Sequence, residues 1–123
     1  MSYEEIILDH WRHPRNKGQL HHPTASAVEA NPLCGDVVKM EVRVENGVVA
    51  EARFSGEGCA ISLAAASLLT ELITGKPVAE VERMKDEDFL SSLGGVVRTR
   101  FSCALLPLRA LRKALGTSPH PGQ

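Results

Sequence analysis

Three cysteines, Cys34, Cys59 and Cys103, and an aspartate two residues past the first of them, Asp36, are the side chains here best suited to chemistry. A thiolate is a soft donor for zinc and iron and the nucleophile of sulfur transfer. Three thiolates and a carboxylate make a four-ligand set for Zn²⁺ or an iron–sulfur cluster. The carboxylate is the informative member. Permanent clusters and structural zinc usually have all-Cys or Cys/His ligation, so a hard oxygen among sulfurs weakens retention and suits a group that is handed on. A single cysteine is more often a small buried hydrophobe than a ligand. All three, however, fall at element boundaries, two of them beside glycines, and not on apolar stripes. An odd number of cysteines fits a disulfide framework poorly and reads better as thiols kept reduced in the cytoplasm.

The elements that must position these residues can be read from periodicity. Residues 37–44 and 48–55 alternate apolar and polar with period two, which predicts half-buried strands joined around Glu45-Asn46-Gly47. Pairing Val44 with Val48 puts eight apolar residues on one side and predicts a three-residue loop with Gly47 left-handed. Extended, that register sets Asp36 near Gly56 and Cys34 near Gly58, so Cys34, Asp36 and Cys59 converge. Cys103 is not placed by this argument. Residues 60–74 form the strongest helical pattern, with Cys59 at its start, and a last helix over 102–115 has Cys103 just inside its beginning. Helix N-termini stabilise anions, which predicts depressed pKa values for Cys59 and Cys103. Pro107 is expected within roughly the first turn of the last helix, where its missing N–H matters least.

Residues 2–12 read as a helix capped by Ser2, with His10 and His13 at the end where a cation suits the macrodipole. A strand within 24–30 is weakly signalled, and short helices are expected after Pro77 and near Asp86. The sum is an α+β fold, a small antiparallel sheet packed against several helices, in one domain over 1–116 with a tail at 117–123. His21, His22 and His120 are read as loop and tail residues, not ligands.

The 123 residues carry a net charge of −1 with both signs interspersed, which argues against nucleic acid as the main partner. No apolar run approaches the ~20 residues of a membrane span, and the acidic N-terminus shows no signal peptide. Arg98, Arg100, Arg109, Arg112 and Lys113 cluster near the C-terminus, as a solvated helix face or a docking patch for an acidic partner.

Four motifs carry a resemblance: D-H-W-R-H-P-R-N-K-G at 9–18, N-P-L-C-G-D at 31–36, G-E-G-C-A-I-S at 56–62 and R-T-R-F-S-C-A-L-L-P-L-R-A-L at 98–111. Over residues 3–115 the chain resembles the U-type scaffold family of IscU, SufU and the N-terminal domain of NifU. The resemblance implies iron–sulfur cluster assembly: sulfur accepted from a cysteine desulfurase, iron bound, and a [2Fe–2S]-type cluster passed to apo-proteins. It implies Cys34, Asp36, Cys59 and Cys103 as ligands, Cys34 or Cys103 as persulfide acceptor, and Arg100 as a basic position that steers the desulfurase. The alternative it implies is a zinc-dependent sulfurtransferase of the SufU type, with zinc on the same four residues. A purely structural zinc domain is a third reading, which Asp36 and the glycines disfavour. Two departures stand out. Ser102 occupies the place of the His that IscU-like members carry before the third cysteine. Gly95-Val96-Val97-Arg98-Thr99 replaces their L-P-P-V-K stretch, which argues against handover by an Hsp70-type chaperone. The wording of the motifs is SufU-like, whereas the 44-residue spacing from Cys59 to Cys103 is IscU-like.

Overall fold

The computed structural model describes residues 1–116, so the expected tail at 117–123, with His120, lies outside the described residues. In chain order the elements are α1 (Tyr3–Arg12), β1 (Ala25–Asn31), β2 (Asp36–Glu45), β3 (Val48–Glu57), α2 (Ala60–Ile73), α3 (Val78–Glu82), α4 (Asp86–Ser92), a 3₁₀ turn (Arg98–Arg100) and α5 (Phe101–Ala114). The three strands form one antiparallel sheet in the order β1-β2-β3. One face of it supplies Val38, Met40, Val42, Val49, Ala52 and Phe54 to the core, and α2 and α5 pack over them with Ala65, Leu69, Leu106 and Leu108. The α+β expectation holds.

The β2–β3 hairpin departs from the expected register. Glu45 pairs with Val48, so the loop has two residues, and Asn46 and Gly47 both have positive φ (53° and 76°) as a tight hairpin turn requires. Val44 then faces Val49, and Arg43 faces Glu51, which leaves Ala50 as the extra residue of a β-bulge. The bulge returns β3 to the apolar phase: Val42 faces Ala52, Met40 faces Phe54, and Val38 faces Gly56. Val49 is thereby buried in place of the expected Val48 and Ala50.

β1 is stronger in space than in sequence. Its inward positions are Ala25, Ala27 and Glu29, too small or too polar to advertise a period of two, and α5 crosses them closely, with Lys113 Nζ donating to Val28 C=O at 3.2 Å. Arg112 is likewise no free surface cation, since it spans to Asp86 (2.6 Å) and to Met84 C=O (2.9 Å) and ties α5 to the start of α4. Pro107 also differs from expectation. It is the seventh residue of α5, beyond the first turn, and it removes the N–H that would bond the carbonyl of Cys103.

The segment after α1 acts as a seam. Arg15 N–H donates to Ser67 Oγ at 2.8 Å, Asn16 Nδ2 to Thr70 Oγ1 at 3.1 Å, and Gly18 N–H to Phe54 C=O at 2.8 Å, joining α1, α2 and the outer edge of β3. His10 belongs to this seam and is not an exposed helix-end cation. It is buried, with Nδ1 2.7 Å from Ser67 Oγ, and burial, reinforced by Arg15, pushes its pKa below the ordinary histidine value, while Glu71 and Asp9 oppose only in part. Among the described residues no helix is long and apolar enough to cross a membrane.

Candidate metal centre

At the end of the sheet away from the Asn46-Gly47 turn, three chain segments meet. The first is the β1–β2 turn. Asn31 C=O accepts from Cys34 N–H (3.1 Å) and Gly35 N–H (2.8 Å), and Asn31 Oδ1 accepts from Leu33 N–H at 3.2 Å. The turn holds Cys34 exposed at the rim, with Leu33 beside it almost wholly in solvent. Gly35, at φ 73°, lets the chain reverse so that Asp36 enters β2 with its side chain inward.

The second segment is the β3–α2 junction. Cys59 is the residue before α2 and has no cap of its own. Asp36 serves instead from the neighbouring strand: its Oδ1 accepts from Cys59 N–H at 2.9 Å, and its Oδ2 from the Ser62 hydroxyl at 2.8 Å. This approach needs Gly58, because a Cβ there would stand 2.5 Å from Asp36 Oδ1. Asp36 is 2 % exposed. Burial alone would raise its pKa, but the bonds from Cys59 N–H, Ser62, and the Cys59 and Cys103 thiols outweigh that, and the net shift is downward. The site therefore holds a buried carboxylate in its ionised form.

The third segment is the first turn of α5, which delivers Cys103. Its Sγ lies 3.7 Å from Cys34 Sγ. The expectation of a depressed pKa is overturned for this residue: burial, then the hydrogen bond to Cys34 and the nearby charge of Cys59, push it up to about 12. A helix N-terminus contributes roughly 0.3–1 kcal/mol at a surface position, less than the cost of charging a buried thiol among other thiols.

The structure thus brings Cys34, Asp36, Cys59 and Cys103 to one place. One ligand atom from each of Cys34, Asp36 and Cys103 lies within 4.8 Å of the others, and Cys59 Sγ joins through Asp36 Oδ2 at 3.5 Å. These spacings suit a shared ion. Tetrahedral zinc with metal–sulfur bonds of about 2.3 Å and metal–oxygen bonds of about 2.1 Å sets ligand edges at roughly 3.8 Å for S···S and 3.6 Å for S···O. The Cys34–Cys103 distance of 3.7 Å and the Cys59–Asp36 distance of 3.5 Å each match one such edge, while Cys59 Sγ lies outside the Cys34, Asp36 and Cys103 group whose ligand atoms are all within 4.8 Å of one another. Among the described residues the group of possible metal ligands contains no histidine: His10 serves the seam, and His21 and His22 lie exposed between α1 and β1.

Sequence reasoning missed three residues. Ser62 is fully buried and touches Asp36, Cys59 and Cys103 at once (2.8, 3.5 and 3.1 Å). Its place one turn after Cys59 on the same helix was a signal available from spacing. Asn31 builds the turn under Cys34. Tyr3 has a buried hydroxyl without a hydrogen-bond partner among the described residues; its pKa is raised, chiefly by burial and further by the charges of Cys59 and Cys103, against the lowering effect of Arg100.

Residues 2–120 match the protein family described as NifU-like N terminal domain. A relative named zinc-dependent sulfurtransferase SufU, from Bacillus subtilis (strain 168), is 32 % identical over 92 % of this chain and 88 % of its own length. A relative named iron–sulfur cluster assembly scaffold protein IscU, from Aquifex aeolicus (strain VF5), is 35 % identical over 93 % of this chain and 74 % of its own. A solved structure from thermophilic Fervidobacterium islandicum AW-1, named as a candidate iron–sulfur cluster assembly scaffold for the SUF system, superposes with a TM-score of 0.76. It has 26 % identity and covers 90 % of this chain and 94 % of its own.

Proposed function

The chain belongs to the NifU-like N-terminal domain family, and from that premise we propose that it is an iron–sulfur cluster assembly scaffold working at Cys34, Asp36, Cys59 and Cys103. One observation carries the reading: a buried, ionised carboxylate stands at ligand distance among three thiols at the rim of the sheet. Soft sulfurs favour iron and zinc, and the hard oxygen gives the set one readily exchanged member. The cargo under this reading is a [2Fe–2S]-type cluster, its sulfur comes from a cysteine desulfurase, and it passes to apo-proteins.

Cys34 is the residue we assign as persulfide acceptor. It is the exposed thiol of the set, while Cys103 is buried and keeps its proton. Its sulfur forms a bond to the outer sulfur of the desulfurase persulfide, and the desulfurase cysteine leaves as thiolate. Arg100, exposed on the 3₁₀ turn that leads into α5, is the residue we assign to guide an acidic partner toward this rim.

The exposure of Cys34 also favours a second reading, a sulfurtransferase in which zinc holds the other three ligands while Cys34 takes the sulfur. An anaerobic assay separates the two. Apo and zinc-loaded protein are incubated with desulfurase, cysteine and ferrous iron. The scaffold reading expects a visible cluster chromophore that moves to an apo-ferredoxin. Desulfurase turnover accelerated only by zinc, with no chromophore, would overturn it in favour of sulfur transfer.

A further inference from the structure

Ser62 stands at the centre of the site and has one proton for two acceptors. Its Oγ is 2.8 Å from Asp36 Oδ2 and 3.1 Å from the carbonyl oxygen of Cys103, and the residue is fully buried. The carbonyl is available because Pro107, four residues on, has no N–H to close the helical bond to it. Two buried acceptors thus compete for the one hydroxyl proton; Asp36 keeps Cys59 N–H and the Cys59 and Cys103 thiols as its other donors, while the Cys103 carbonyl lacks the helical N–H that Pro107 cannot supply.

We propose that Ser62 is a positioning residue that makes Asp36 an exchangeable ligand. With Asp36 off the metal, the hydroxyl donates to Oδ2. When Asp36 turns that oxygen to a metal ion, the hydroxyl donates to the Cys103 carbonyl, so the move leaves the donor paired. Cys59 N–H holds Oδ1 throughout and serves as the pivot. A bond to a charged acceptor is stronger than one to a neutral carbonyl. Ser62 therefore biases Asp36 toward release, by about fivefold on the usual difference between such bonds. Pro107 sets the size of that bias, since it keeps the alternative acceptor open. The inference rests on the metal-site reading above.

The test uses Co²⁺ alone as the probe, bound anaerobically, with release to excess chelator followed in the visible spectrum. Ser62→Ala removes the donor and is expected to slow release about fivefold. Pro107→Ala restores the helical N–H to the Cys103 carbonyl, keeps Ser62 on Asp36, and is expected to speed release several-fold. In an Asp36→Ala background, Ser62→Ala should have no further effect. Loosened packing would move both single variants in one direction, so shifts of the same sign, or none, overturn the proposal. So does a Ser62→Ala effect that persists without Asp36. If the unaltered protein takes up Co²⁺ without a thiolate charge-transfer band, the metal-site reading itself fails, and the proposal falls with it.

Discussion

Asp36 has two duties that a substitution would separate. It is the oxygen of the candidate ligand set, and it also receives Cys59 N–H and the Ser62 hydroxyl at the start of α2. Asp36→Ala is therefore expected to slow cluster transfer, because the easily displaced ligand is gone. It should also destabilise the apo-protein by about 1–3 kcal/mol, because two buried donors lose their acceptor. Transfer kinetics to an apo-ferredoxin and urea unfolding of the same preparation check the two halves; unchanged transfer would remove the role given to the carboxylate. For the thiols, Cys34→Ser is expected to abolish persulfide labelling by the desulfurase, whereas Cys103→Ser retains it. Mass spectrometry after alkylation reads this directly, and labelling that survives in Cys34→Ser would reverse the assignment.

At the scale of elements, the β3–α2 junction is where backbone and ligand compete for space. Gly58→Ala puts a methyl 2.5 Å from Asp36 Oδ1 at a φ of 153°. We expect it to weaken Co²⁺ binding at least tenfold, a change that chelator competition would measure. Gly35→Ala, where an added Cβ would meet no described atom within 4 Å beyond its chain neighbours, should show only the smaller effect of backbone strain. This junction also shows what the sequence could and could not disclose. Alternation in 37–44 and 48–55 was enough to pair the strands and to bring Cys34, Asp36 and Cys59 to one end. Either register does that, because both begin from the same hairpin. The Ala50 bulge was invisible, since an extra residue with a small side chain leaves no mark on a two-residue period; together with the shorter loop, each shifting the register by one, it moves the position opposite Asp36 from Gly56 to Gly58 on extension of the Val37–Glu57 pair. β1 hid behind its alanines. The arrival of Cys103 depends on how α5 lies across β1 and β2, which no local pattern encodes. The buried thiol's raised pKa followed from that packing, and so it reversed an argument built on the helix alone.

For the whole molecule, the seam formed by His10, Arg15, Asn16, Ser67 and Thr70 joins α1 to the rest of the fold. His10 is neutral there, with Arg15, Glu71 and Asp9 the charged groups around it. Its pKa is lower folded than unfolded, so as pH falls the unfolded chain takes up the proton first. Stability is then whole above about pH 6.5 and declines below it, toward the depressed folded value. The lowered carboxylates of Glu5, Asp9 and Asp36 add their own loss in the same direction, but only further down, below about pH 4.5. His10→Gln should therefore flatten the dependence of the urea midpoint between about pH 7 and 5 and leave the acid limb in place. A midpoint that falls as steeply in the variant would show that His10 is not the group responsible.

The pair of sulfurs 3.7 Å apart, from residues 69 positions distant in the chain, has a further consequence. Both are free thiols, one oxidation step from a covalent bond. A mild oxidant such as peroxide would take two electrons and two protons and join Cys34 to Cys103. That bridge consumes the exposed thiol and the buried one together, and it locks the β1–β2 turn onto α5. Exposure to air in the empty state would then read as loss of function with a more heat-resistant fold, undone by a dithiol reductant.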